Sequence, residues 1–131
     1  MKRFLTIAAA MAAATPAVAC NADMLEVLDW RAVAAEEGSY FPYDLSADVR
    51  YRGDRPYRMI HGGVMFDDVL GESLGQVNLE RDQDVAPGEA ILVDGLVEVD
   101  ERIGTVNRDD VVYRTCVWSV VYAEGTTEKF D

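Results

Sequence analysis

From Met24 onward, turn-forming residues interrupt the chain repeatedly, and no segment between them carries the pattern of a helix of useful length. Gly38–Pro42, Gly53–Pro56, Asp67–Gly71, Asp82–Gly88, Asp94-Gly95, Asn107–Asp110 and Glu124–Thr127 are rich in residue types that favour turns. The segments between them carry strand patterning. Leu45–Arg52 and Leu74–Leu79 alternate apolar and polar residues, the period of a half-buried strand. Met24–Trp30 and Tyr57–Phe66 are strand-compatible, and Gly62-Gly63 inside the second predicts a bulge or a close backbone approach. Ala90–Val93 and Leu96–Val99 flank Asp94-Gly95, the signal of a two-residue hairpin. Ile103–Val106 adds a short strand. Val111–Ala123 is the longest β-branched and aromatic run. Cys116, Trp118, Val120 and Tyr122 fall on one face of it and Val117, Val121 and Ala123 on the other, so it belongs in the middle of a sheet. Arg31–Glu37 alone has helical propensity, and its length limits it to one turn. The sum is an all-β sandwich or barrel of about seven short strands.

Residues 1–19 have the order of a secretory signal peptide. Lys2-Arg3 is a positive start, Phe4–Ala14 an apolar stretch, and Ala17-Val18-Ala19 places small residues at −3 and −1 of a cleavage site. The apolar stretch is shorter than the roughly 20 residues a spanning helix needs, and no later segment approaches that length, so no transmembrane segment is expected. Cleavage after Ala19 leaves 112 of the 131 residues, one domain over 20–131 large enough for its own core.

The two cysteines are Cys20, the first residue after that cleavage site, and Cys116. Two fates are open. Cys20 is acylated as a bacterial lipoprotein anchor, although Ala17 stands where a lipobox usually has Leu; or, in an oxidising compartment, it pairs with Cys116. The two fates compete for one sulfur. The disulfide would close nearly the whole domain into a loop, a constraint contributing roughly 3–5 kcal/mol.

The signal holds two of the twelve basic residues and none of the twenty-four acidic ones, so the remainder carries a formal charge of −14. That excludes general nucleic-acid binding, which rests on phosphate neutralisation by Lys and Arg. It suits solubility or a cationic partner. Against this background Arg50, Arg52, Arg55 and Arg58, interleaved with Tyr51 and Tyr57, are the one basic cluster. Arg and Tyr dominate many binding interfaces, so these six residues are the candidate partner-binding patch. The competing reading is a solvated turn neutralised by nearby acids.

Catalytic constellations are thin. His61 is the sole histidine, and no Gly-x-Ser-x-Gly elbow surrounds Ser39, Ser46, Ser73 or Ser119. Met59, His61 and Met65 recur at even spacing on one strand face, a soft donor set suited to copper. The plainer assignment puts both methionines in the core. The acidic pairs Asp67-Asp68, Asp82/Asp84, Asp100-Glu101 and Asp109-Asp110 fall in expected turns, where loop carboxylates can bind calcium but where Asp also simply favours turns.

The stretch from Ile60 to Gly75, with Phe66-Asp67, Gly71 and the later Pro87-Gly88-Glu89, resembles the bacterial FxLYD-type immunoglobulin-like domains. These share a strand ending in aromatic-Asp, a glycine turn, a second strand and a Pro-Gly-Glu turn. The resemblance covers roughly residues 58–92. It implies an immunoglobulin-like sandwich that is exported and not an enzyme, with no cofactor and no catalytic residue to carry over. The resulting expectation is a binding or assembly module of the bacterial envelope, periplasmic or associated with the outer membrane, with an envelope protein as partner. The alternatives are an acidic inhibitor of a cationic envelope enzyme such as a lysozyme, and a copper-handling periplasmic protein.

Overall fold

A computed structural model describes residues 20–130; the export signal read at residues 1–19 lies outside them. Eight strands form two antiparallel sheets: β1 (Leu25–Ala34), β2 (Tyr43–Tyr51), β3 (Tyr57–Asp68), β4 (Ser73–Asn78), β5 (Ala90–Val93), β6 (Gly95–Val99), β7 (Val111–Tyr122) and β8 (Thr127–Lys129). The smaller sheet has the order β1-β2-β5 and the larger the order β6-β4-β3-β7-β8. The chain lays down β1–β2, crosses to β3–β4, returns to set β5 on β2, crosses again to set β6 on β4, and closes with β7 beside β3. This exchange of strands between layers makes an immunoglobulin-like β-sandwich. Among the described residues no helix is long and apolar enough to cross a membrane.

The core lies between the sheets. Leu45, Ala47, Val49 and Tyr51 of β2 point into it at every second position, opposite Ile60, Val64 and Phe66 of β3. Trp30 and Phe66 meet across the layers with ring centroids 5.3 Å apart, and Tyr51 and Tyr57 form an edge-to-face pair at 4.8 Å. The Tyr51 hydroxyl donates to the Arg55 carbonyl at 2.6 Å, and burial pushes that phenol up to about 12. The Tyr57 hydroxyl is buried with no protein partner.

Irregularities in β3 and β7 set which residues face outward. The register slips between His61 and Gly62 against Ser119 and Val117, leaving Trp118 as the extra residue of a bulge. Thr115 and Val117 are therefore buried before the bulge and Val120 and Tyr122 after it. Simple alternation put Cys116 and Trp118 on the same face as Val120 and Tyr122; the bulge reverses that phase. The Gly62-Gly63 pair does sit where backbones crowd. A Cβ on Gly63 would lie 2.4 Å from Asn78 Oδ1 and 2.7 Å from the Val77 carbonyl oxygen.

Three local expectations are corrected. Asp94-Gly95 is a crossing between sheets rather than a hairpin, because β5 pairs with β2 and β6 with β4. A type I′ turn needs positive φ at both central residues, and neither Asp94 nor Gly95 has it. Gly95 instead permits close approach, since a Cβ there would meet the Asn78 carbonyl oxygen at 2.6 Å. Ile103 lies in a 3₁₀ turn, Glu101–Gly104, not a strand. Its start is capped by Asp100, whose carboxylate accepts from the Arg102 N–H at 2.8 Å, while Ile103 is buried. Arg31–Ala34 continues β1 rather than forming a helical turn, held by pairing of Arg31 with Ser46 and Ala34 with Tyr43. Sheet pairing overrides the weak helical preference of so short a segment.

Candidate functional site

The arginine cluster is dispersed by the fold. Tyr51 and Tyr57, expected at the partner-binding patch, are 0% and 1% exposed, so neither side chain is available to a partner. The reason is strand alternation: with Arg50 and Arg52 outward, Tyr51 turns inward. Arg52 is ion-paired with Glu26 of the neighbouring strand. The Arg55 guanidinium carbon lies over the Tyr122 ring, 3.7 Å from its centroid, and the side chain reaches Glu124 at 2.6 Å and Glu128 at 3.6 Å. Hydrogen bonds from Thr126 and then Arg55 hold the Glu124 carboxyl below its usual range. Arg50 donates to the Gly88 carbonyl at 3.0 Å, and Arg58 is exposed. The six residues therefore split into a buried aromatic pair, two neutralised arginines, and Arg50 and Arg58.

Cys20 and Cys116 are joined in a disulfide with Cα atoms 5.4 Å apart, and Cys116 is buried. Next to it, Asn21 and Val117 exchange both backbone hydrogen bonds, at 2.8 and 2.9 Å. The Thr115 hydroxyl donates to the carbonyls of Ala22 and Leu25. Together these fasten the segment preceding β1 to β7. Cys116 is directly opposite Gly63 in the register.

Among the acidic pairs, Asp67, Asp68 and Asp100 have side-chain partners within the fold. Asp67 and Asp68 end β3 rather than standing in a turn. Asp68 is 6% exposed; it accepts from the N–H groups of Leu70 and Glu72 and pairs with Arg102 at 3.0 Å. The Glu72 N–H, the Arg102 guanidinium and the Leu70 N–H hold its carboxyl below the ordinary value. Asp67 faces Arg114 at 3.5 Å. Asp109 and Asp110 belong to a 3₁₀ turn capped by Asn107. Among the described residues no group of three or more His, Cys, Asp or Glu side chains is placed to hold a metal ion.

Met59, His61 and Met65 share the outer face of the larger sheet. Met65 is 8% exposed while Met59 is 39% exposed. The His61 ring packs on Trp118 with centroids 4.8 Å apart. Ser119 is the register partner of His61, and Lys129 is the register partner of Ser119, so the three form one row across β3, β7 and β8. Met59, Val121 and Thr127 form the next row. An open pocket of about 180 Å³ lies over these rows, and Arg81 is also part of its lining. It includes Met59 and His61; Met65 lies four residues further along the strand, about 13 Å from His61 by strand rise. Arg81 and Lys129 carried no signal in the sequence, because they are far apart in the chain and only sheet register brings them together.

No protein-family model, curated protein or solved structure matches the chain.

Proposed function

We propose that the chain is an exported bacterial envelope module that binds another envelope protein and carries out no reaction itself. Its place would be the periplasm or an association with the outer membrane. The observation that carries this reading is the Cys20–Cys116 disulfide, which ties the residue following the signal sequence to the middle of the larger sheet. Disulfides of this kind persist where thiols are kept oxidised. The resemblance to FxLYD-type domains belongs to the same proposal. The lysozyme-inhibitor alternative draws its support from the formal charge of −14.

Two measurements test the proposal. Intact mass of protein from its native host should give a chain starting at Cys20 and lacking two hydrogens relative to the dithiol. An added diacylglyceryl mass would select the lipid anchor, and a chain retaining residues 1–19 would end the export reading. Cross-linking capture from envelope extract should return a structural envelope protein. Recovery of a muramidase would favour the inhibitor.

A further inference from the structure

We propose that the pocket between Arg81, His61 and Lys129 binds a carboxylate attached to a small apolar body. Arg31, Arg52, Arg55, Arg102, Arg108 and Arg114 each have a carboxylate within 4.0 Å. Arg50 is spent on a backbone carbonyl. Arg50, Arg58, Arg81 and Lys129 have no ion pair among the described residues, and of these Arg81 and Lys129 line one pocket. In a domain of formal charge −14, with far more carboxylates than cations, two unpaired cations meeting at one concavity is the opposite of what composition favours. Glu80 and Asp82 flank Arg81 in sequence, yet neither comes within ion-pair distance of it.

The rest of the pocket defines the ligand. Met59 and Val121 supply an apolar floor, and Met59 is the more exposed of the two. Ser119 and His61 add hydrogen-bonding groups between the cations, and the packing of His61 on Trp118 fixes the ring's place. The volume, about 180 Å³, equals roughly six waters at about 30 Å³ each. That admits a carboxylate on an aromatic or branched aliphatic group. A planar guanidinium on one side suits bidentate contact with a carboxylate, and a flexible ammonium on the other can follow it. The surrounding negative field repels polyanions, so a single carboxylate is favoured over a multiply charged phosphate.

The test is an NMR titration of the oxidised protein at constant ionic strength with benzoate, benzamide and inorganic phosphate. Benzoate should produce saturable shifts centred on the amides of His61, Ser119 and Lys129, with benzamide and phosphate each at least about tenfold weaker. The R81Q/K129Q variant should keep the wild-type spectrum elsewhere and lose benzoate affinity by about tenfold or more. Should that variant fold poorly, R81Q alone should weaken binding by several-fold. Equal binding of benzamide, stronger binding of phosphate, undiminished benzoate binding by a folded variant, or shifts that never saturate would each overturn the proposal. None of these outcomes bears on export or on capture of an envelope protein, so the site and the function proposed above stand or fall separately.

Discussion

Reducing the disulfide should remove a large part of the domain's stability, and the amount follows from where the cysteines sit. Cys20 and Cys116 are separated by 96 positions. Closing a loop of that length in the unfolded chain costs an entropy of about 16 cal/mol/K, or about 4.7 kcal/mol at 25 °C. The folded state offsets little of this, because reduction does not remove the paired Asn21–Val117 backbone bonds or the Thr115 bonds to Ala22 and Leu25. Stabilities of natural domains are about 5–15 kcal/mol, so the bond is a third or more of the total. Urea unfolding of the oxidised protein should therefore be compared with that of the protein held reduced. With a slope of about 2 kcal/mol/M, the midpoint should fall by about 2 M. Thiol counts under denaturing conditions should rise from zero to two on reduction. If the thiols appear but the midpoint moves by less than about 0.5 M, the unfolded chain is not being constrained as argued. If two thiols react before reduction, the bond itself is wrong.

Four further substitutions probe the interior. Tyr57→Phe removes a buried hydroxyl with no protein partner and should be neutral or stabilising by about 1 kcal/mol, whereas Tyr51→Phe loses the bond to the Arg55 carbonyl and should cost about 1 kcal/mol; urea midpoints of the pair decide it. Gly63→Ala drives a methyl group into Asn78 and the Val77 carbonyl and should destabilise by about 2 kcal/mol or more, read by the same assay. Asp68 has a folded-state pKa below its unfolded value, so its contribution is present above about pH 4 and is lost as pH falls through the folded value. Asp68→Asn should flatten that acid limb of the stability profile, measured by thermal melts from pH 7 to pH 2.5.

The strand content of the fold was legible because strands bury one face, and burial writes a period of two into the sequence. β2 shows this cleanly: Leu45, Ala47, Val49 and Tyr51 are inward, and Asp44 and Arg50 lie outward and exposed. The partnering of strands was not legible where local chemistry has two uses. Asp94-Gly95 has hairpin composition, but glycine serves close approach to Asn78 as readily as it serves positive φ. The extra residue at Trp118 was equally invisible, since a bulge changes the phase of alternation without any required residue type. Ile103 was read as strand because one buried aliphatic residue looks the same in a strand and in a 3₁₀ turn.

The site was harder still, because clustering along a strand and clustering in space are different quantities. Arg50, Arg52, Arg55 and Arg58 are close in sequence, yet β2 and β3 belong to different sheets, so Arg50, Arg52 and Arg55 each meet a different neighbour and Arg58 is left exposed. Glu26 and Glu124 neutralise two of the four, and both come from distant segments. The same geometry works in reverse on the opposite side of the sandwich. The sequence marks neither Ser119 nor Lys129 as a neighbour of His61, but antiparallel pairing stacks the three in one row at the roughly 4.8 Å spacing of neighbouring strands. Arg81 joins them because its carbonyl accepts the Ile60 N–H at 2.9 Å, which pins the loop after β4 to the edge of the same row. A cationic pocket in an acidic domain is thus a product of register, and a one-residue slip of β7 against β3 would turn Ser119 inward and dissolve it.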